Sequence, residues 1–238
     1  MNPLPHVLLG DQAWAAIGLP LSARAHMLVG AIAPDAWRLM EGKSFRRVHF
    51  RSQRKVGERI GDFLGTYLQP AWFRGDAQEQ GFWAGWLTHI VADGIWRRML
   101  SAELPELWAE GVGLHGDERF SLLARYQSAC DRADRQLNVA QEREVAEERW
   151  LLRSVSQSYS VFPVDPSALS RWVTTVAEDL MPPAEPTASG DPALNAEFVA
   201  RVQQAALDEF LGVFRHQMER LSAHEEDWSP FADSSASL

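Results

Sequence analysis

A single cysteine, Cys130, stands in 238 residues. No intramolecular disulfide can form, and nothing in the cysteine usage calls for an oxidising compartment. No stretch reaches the roughly 20 uncharged apolar residues that a membrane-spanning helix needs. The first residues, Met1-Asn2-Pro3-Leu4-Pro5-His6, hold no basic segment, and Gly10-Asp11-Gln12 breaks the first apolar run, so no secretory signal is read. These absences lead us to expect a soluble, cytoplasmic chain. Positive charge is also in deficit: 23 Lys and Arg face 32 Asp and Glu, a formal net charge of -9. This argues against broad, non-specific attraction to a nucleic-acid backbone. Strand-like alternation is almost missing, and no internal repeat is visible, which leaves an all-α fold.

Apolar residues make up 46% of the chain, enough for a substantial core. Helical spacing predicts a first helix from about Pro5 to Ile17, ended by Gly18-Leu19-Pro20. Ser22 is the expected N-cap of a second, which must stop or kink around Ala33 because Pro34 follows. Residues 41–51 read as a loop holding His49. A third helix is expected from Ser52 to about Leu68, ending before Gln69-Pro70. Residues 82–96 form the central helix, apolar on nearly every side. Residues 103–116 read as irregular. A polar, solvent-facing helix then opens at Asp117 and continues after a break to about Val155. Ser167 is the expected cap of a helix reaching Met181, and the last helix spans about Leu194 to Ser222. We expect one helical domain over residues 1–222, with a Pro-rich, linker-like loop at 182–193 and a fraying tail at 223–238.

Within the central helix the polar exceptions are Thr88, His89 and Asp93. His89 and Asp93 lie four residues apart, hence on one face. A buried Asp93 requires a metal ion, an arginine or a proton for compensation, and Arg97 one turn on is a candidate partner. His6 at the start of the first helix, Asp35 after Pro34 and His49 beside Phe50 complete a set of imidazoles and carboxylates. Nitrogen and oxygen donors of this kind suit Zn²⁺, and ligands from several helices meet naturally inside a bundle. Between Lys43 and Arg59 lie Lys43, Arg46, Arg47, Arg51, Arg54, Lys55 and Arg59 against one acid, Glu58. Such a segment either receives an anion or forms a solvated face.

The order Gly30-Ala31-Ile32-Ala33-Pro34-Asp35, Val48-His49-Phe50 and Gly85-Trp86-Leu87-Thr88-His89-Ile90-Val91-Ala92-Asp93 resembles the zinc-dependent phospholipase C family, itself similar to the fungal single-strand nucleases. The resemblance covers about the first hundred residues. It implies a multi-helix bundle around a zinc cluster that activates water to cleave a phosphodiester. It further implies His6, Asp35, His49, His89 and Asp93 as metal ligands, with Asp35 also the base and Asp93 bridging two ions. The secreted members' N-terminal tryptophan ligand and their later His and His-x-x-x-Glu have no counterpart: Arg220 stands at the fourth position after His216. One or two Zn²⁺ ions are therefore expected. Arg46, Arg47 and Arg51 would hold the non-bridging oxygens of a small phosphoester or phospholipid headgroup. A non-catalytic relative that keeps the scaffold is the main competing reading. A helical phosphohydrolase of the His-Asp type ranks low, because the chain contains no His-Asp dipeptide.

Overall fold

Gly81-Phe82-Trp83-Ala84-Gly85-Trp86-Leu87 can surround itself with protein only if other helices approach on every side, and they do. In the computed structural model, which describes residues 3–40, 48–50, 60–103, 142–155, 164–179 and 196–225, every residue from Gly81 through Asp93 is buried. The helices are α1 (Pro3–Ile17), α2 (Leu21–Ile32), α4 (Ala77–Glu103), α5 (Glu142–Ser154), α6 (Pro166–Asp179) and α7 (Ala196–Glu225). Between α2 and α4 runs α3, made of Ile60–Phe63, a π-wound turn Leu64–Leu68, and Gln69–Arg74. Among the described residues there is no strand, so the chain is all-α. None of these helices is long and apolar enough to cross a membrane.

The α2–α4 contact is the most extensive in the structure. Two glycines allow it. A Cβ on Gly30 would lie 2.0 Å from the Phe82 carbonyl oxygen, and one on Gly85 would lie 2.1 Å from that of Met27. Only backbone without side chains can approach so closely. Around this seam one continuous apolar core gathers Leu9, Met27, Leu28, Phe63, Trp86 and Phe210 among others. α7 returns across α1 and α4, with Phe198 edge-on to Trp96 at 5.4 Å and Gln203 Nε2 donating to the Pro5 carbonyl at 3.2 Å.

Several local expectations need correction. Pro20, not Ser22, is the N-cap of α2, and no side chain caps that end. At Pro34 the expectation holds: α2 stops at Ile32 with Ala33 as its C-cap, and the chain tightens there into a 3₁₀ segment, Ala33–Leu39, in which Asp35 sits. Pro70 does not end α3: it falls just after the π turn, where the hydrogen-bond ladder is already shifted by one residue, so its missing N–H does little damage. The cap of α6 is Asp165, whose Oδ1 accepts from the Ser167 and Ala168 amides at 2.9 and 3.1 Å. Finally, α5 is not simply solvent-facing, because Glu148 and Leu152 are buried in its contact with α2. The expected features at 103–141, including the polar helix from Asp117, lie largely outside the described residues, as do the 182–193 loop and residues 226–238.

Candidate metal centre

Each side chain of the cluster is delivered by a different local feature. His6 sits in the first turns of α1, where Gln203 holds the neighbouring Pro5 carbonyl. Asp35 follows the proline that winds Ala33–Leu39 into a 3₁₀ segment. His49 occupies a turn anchored on one side by the Trp86 indole N–H, which donates to the Val48 carbonyl at 3.2 Å. On the other side Phe50 takes a left-handed φ of 48°, unusual for an aromatic residue. Its ring packs edge-on against Phe63 and Tyr67 at 5.1 and 5.6 Å, which offsets that strain and fixes the aim of His49. His89 and Asp93 project from one face of α4, as their spacing requires.

The five side chains converge. His6, Asp35, His49, His89 and Asp93 are each at most 8% exposed. His6 and His89 stack with centroids 3.9 Å apart and planes 14° from parallel. His49 Nε2 lies 3.0 Å from His89 Nε2, 3.8 Å from Asp35 Oδ1 and 3.6 Å from Asp93 Oδ2. The other oxygen of Asp93, Oδ1, is 3.7 Å from His6 Nε2. Two overlapping triads, His6–His89–Asp93 and Asp35–His49–His89, place their donor atoms within 4.8 Å of one another.

Protonation follows from these contacts. The carbonyl of Ala31 lies 2.7 Å from His89 Nδ1 and can only accept, so His89 donates from Nδ1 and turns its Nε2 edge into the cluster. Burial, reinforced by repulsion from His89, holds the His6 imidazole well below its ordinary pKa, so it is neutral. Burial opposes ionisation of Asp93, but the electrostatics of its surroundings outweigh it and hold its carboxyl well below the usual range. The most informative atoms are those of His6: both ring nitrogens are buried and neither has a hydrogen-bond partner among the described residues. An imidazole with both nitrogens desolvated and unbonded is costly unless something else bonds it. Neutral imidazoles, carboxylates and a backbone-oriented tautomer are what a borderline divalent cation such as Zn²⁺ takes. The residues fit that group.

Arg46, Arg47 and Arg51 lie outside the described residues, so the expected anion-binding role is not located. A described cation does meet the cluster: Arg38, whose Nε is 3.6 Å from Asp35 Oδ1. Sequence reasoning passed it over, although Asp35 and Arg38 stand three apart and share a helical face. Also missed was Trp172, whose indole N–H donates to the Ile32 carbonyl at 2.9 Å and ties α6 to the segment bearing Asp35. His216 is exposed on α7. Comparison with protein-family models, with characterised proteins and with solved structures finds no match for this chain.

Proposed function

We propose that this protein is a zinc-dependent phosphoesterase, similar in its site to phospholipase C, acting on a small phosphoester or a phospholipid headgroup. The observation that carries the reading is His6, a buried imidazole with both nitrogens unbonded among the described residues, stacked on His89 inside a cluster of three imidazoles and two carboxyl groups. Asp35, His49, His89 and Asp93 would hold one ion, and His6 with Asp93 Oδ1 would serve a second. Bound zinc supplies Lewis acidity, bringing the pKa of a coordinated water towards about 7 so that hydroxide is available at neutral pH.

The chain's own groups do the rest. His89, locked by the Ala31 carbonyl, keeps its Nε2 edge aimed inward through the reaction. Asp35 would accept the proton released by the attacking water, on the side of the cluster that meets Arg38. Asp93 divides its oxygens between the His6 and His49 sides and so holds both in register. The indole of Trp86 and the ring of Phe50 fix the His49 turn, limiting the reorganisation the site undergoes.

A second reading, a metal-binding or structural relative without catalysis, is favoured by one observation: His216, one of the three histidines that follow Asp93, is exposed on α7. Hydrolysis of a chromogenic phosphodiester with zinc present separates the two. Asp35→Asn that abolishes hydrolysis while zinc content persists supports the enzyme. A wild-type protein that retains zinc yet hydrolyses no phosphomonoester or diester favours the second reading.

A further inference from the structure

The 3₁₀ segment Ala33–Leu39 does more than present Asp35. Its C-terminal half turns Arg38 to the same side, with Nε 3.6 Å from Asp35 Oδ1, an ion-pair distance longer than a hydrogen bond. The Arg38 side chain is 42% exposed against 6% for Asp35, so the guanidinium stands at the boundary between the buried cluster and solvent. It makes no hydrogen bond among the described residues. Its outer N–H groups are therefore available to a ligand arriving from solvent.

That position is built by α6, far away in sequence. Trp172 donates its indole N–H to the Ile32 carbonyl, at the start of the segment. Arg171 donates from its terminal NH2 nitrogen to the Leu39 carbonyl at 3.1 Å, at the segment's end. Between these two clamps the Arg38 guanidinium lies 5.7 Å from the centre of the Trp172 ring, within cation–π range. An exposed arginine normally samples many rotamers. One laid on an aromatic face and facing a carboxyl has lost much of that freedom before any ligand arrives. Were Arg38 merely neutralising Asp35, the stacking surface and the two backbone clamps would be superfluous.

We propose that Arg38 is the residue that grips the phosphoryl oxygens of the substrate, and that Trp172 is its positioning residue. A planar guanidinium offers paired N–H donors matched to two oxygens of a phosphate, which a lysine does not. The oxyanion would sit against the outer edge of Arg38 while its phosphorus lies over the Asp35 side of the cluster. The inference rests on the reading that the cluster holds zinc and acts on phosphoesters, and it supplies the oxyanion contact that Arg46, Arg47 and Arg51 were expected to make.

The test is calorimetric titration of inorganic phosphate into zinc-loaded protein, with zinc measured on each sample. Arg38→Gln is expected to keep its zinc and bind phosphate about 10- to 100-fold more weakly, the worth of a charge-assisted hydrogen-bond pair. Arg38→Lys keeps the charge but lacks the paired donors, and is expected to fall between the two. Trp172→Leu should weaken phosphate binding and raise KM for a phosphoester with little change in kcat, and Trp172→Tyr should restore most of the loss. Phosphate affinity unchanged in both Arg38 variants at full zinc content overturns the inference alone. Should Arg38→Gln lose zinc, Arg38→Lys decides: wild-type affinity there overturns it. Wild-type protein that takes up no zinc removes the underlying reading, and the inference with it.

Discussion

Glu148→Gln should make the protein more resistant to alkaline conditions, and the size of the effect can be worked out from its surroundings. Arg24 on α2 is shared by three acids. It is bidentate to Asp11, with Nε–Oδ1 at 2.6 Å and a terminal nitrogen–Oδ2 contact at 3.1 Å, and it also bonds Glu147. Glu148 is left 3.7 Å from the guanidinium, 2% exposed, with Oε2 unpartnered among the described residues. The charged groups facing it are Asp11 on α1, Arg24 on α2 and Glu147 on α5. Burial first, and then repulsion from Asp11, push its carboxyl from an ordinary value of 4.5 up to about 7.

The unfolded chain releases this proton near 4.5 and the folded chain near 7, so between those values the folded state binds more protons. Stability falls as pH rises through the window and is fully reduced above about 7. A shift of that size in a wholly enclosed group corresponds to about 3 kcal/mol. Solvent reaching the exposed side of Arg24 and Glu147 screens it to about 1–2 kcal/mol. Urea unfolding of wild type and Glu148→Gln at about pH 5 and about pH 8 reads it, since every other titrating group cancels in the difference. The Gln variant should gain about 1–2 kcal/mol over wild type between those two values. A difference constant within about 0.3 kcal/mol refutes the argument.

Gly85→Ala forces a methyl group to within 2.1 Å of the Met27 carbonyl, and α2 and α4 must part to admit it. A loss of about 2–3 kcal/mol in urea unfolding is expected, and a change below about 0.5 kcal/mol would mean the seam is looser than described. His6→Leu replaces two buried nitrogens, unbonded among the described residues, with carbon of similar bulk, so the metal-free variant should be more stable than metal-free wild type by about 1–2 kcal/mol. Zinc should then raise the melting temperature of wild type far more than that of the variant. Equal zinc stabilisation of the two would show that His6 is not a ligand. Asp93→Asn, which removes the charge facing both His6 and His49, should weaken zinc binding by at least 10-fold in competition with a chelator. Wild-type affinity in that variant would contradict its placement.

How much of this was written in the sequence depends on range. The apolar run around Phe82-Trp83 marks a buried helix because each residue carries its own signal, and the spacing of His89 and Asp93 puts them on one face by helical geometry alone. Pro34 marks a change of backbone, but whether the chain breaks or tightens depends on what packs behind it. Here the Trp172 indole and Arg171 brace the 3₁₀ segment from over 130 positions away. No local pattern announces such a pairing. The burial of Glu148 was invisible for the same reason: its helix reads as interleaved acids and bases, and the docking of Arg24 from α2 is what sets Glu148 inward. Caps failed more narrowly. Asp165 and Ser167 both suit a helix start, and the choice between them is settled by backbone angles that sequence does not specify.

The central claim is that His6, Asp35, His49, His89 and Asp93 form a zinc site. Elemental analysis of protein purified without chelator, repeated after reconstitution with zinc and removal of the excess, addresses it directly. The arrangement predicts between one and two zinc ions per chain, because four or more oriented nitrogen and oxygen ligands retain the ion through dialysis, in line with about 2.0–2.2 Å bonds to each donor. A content below about 0.2 zinc per chain that added zinc does not restore would contradict it.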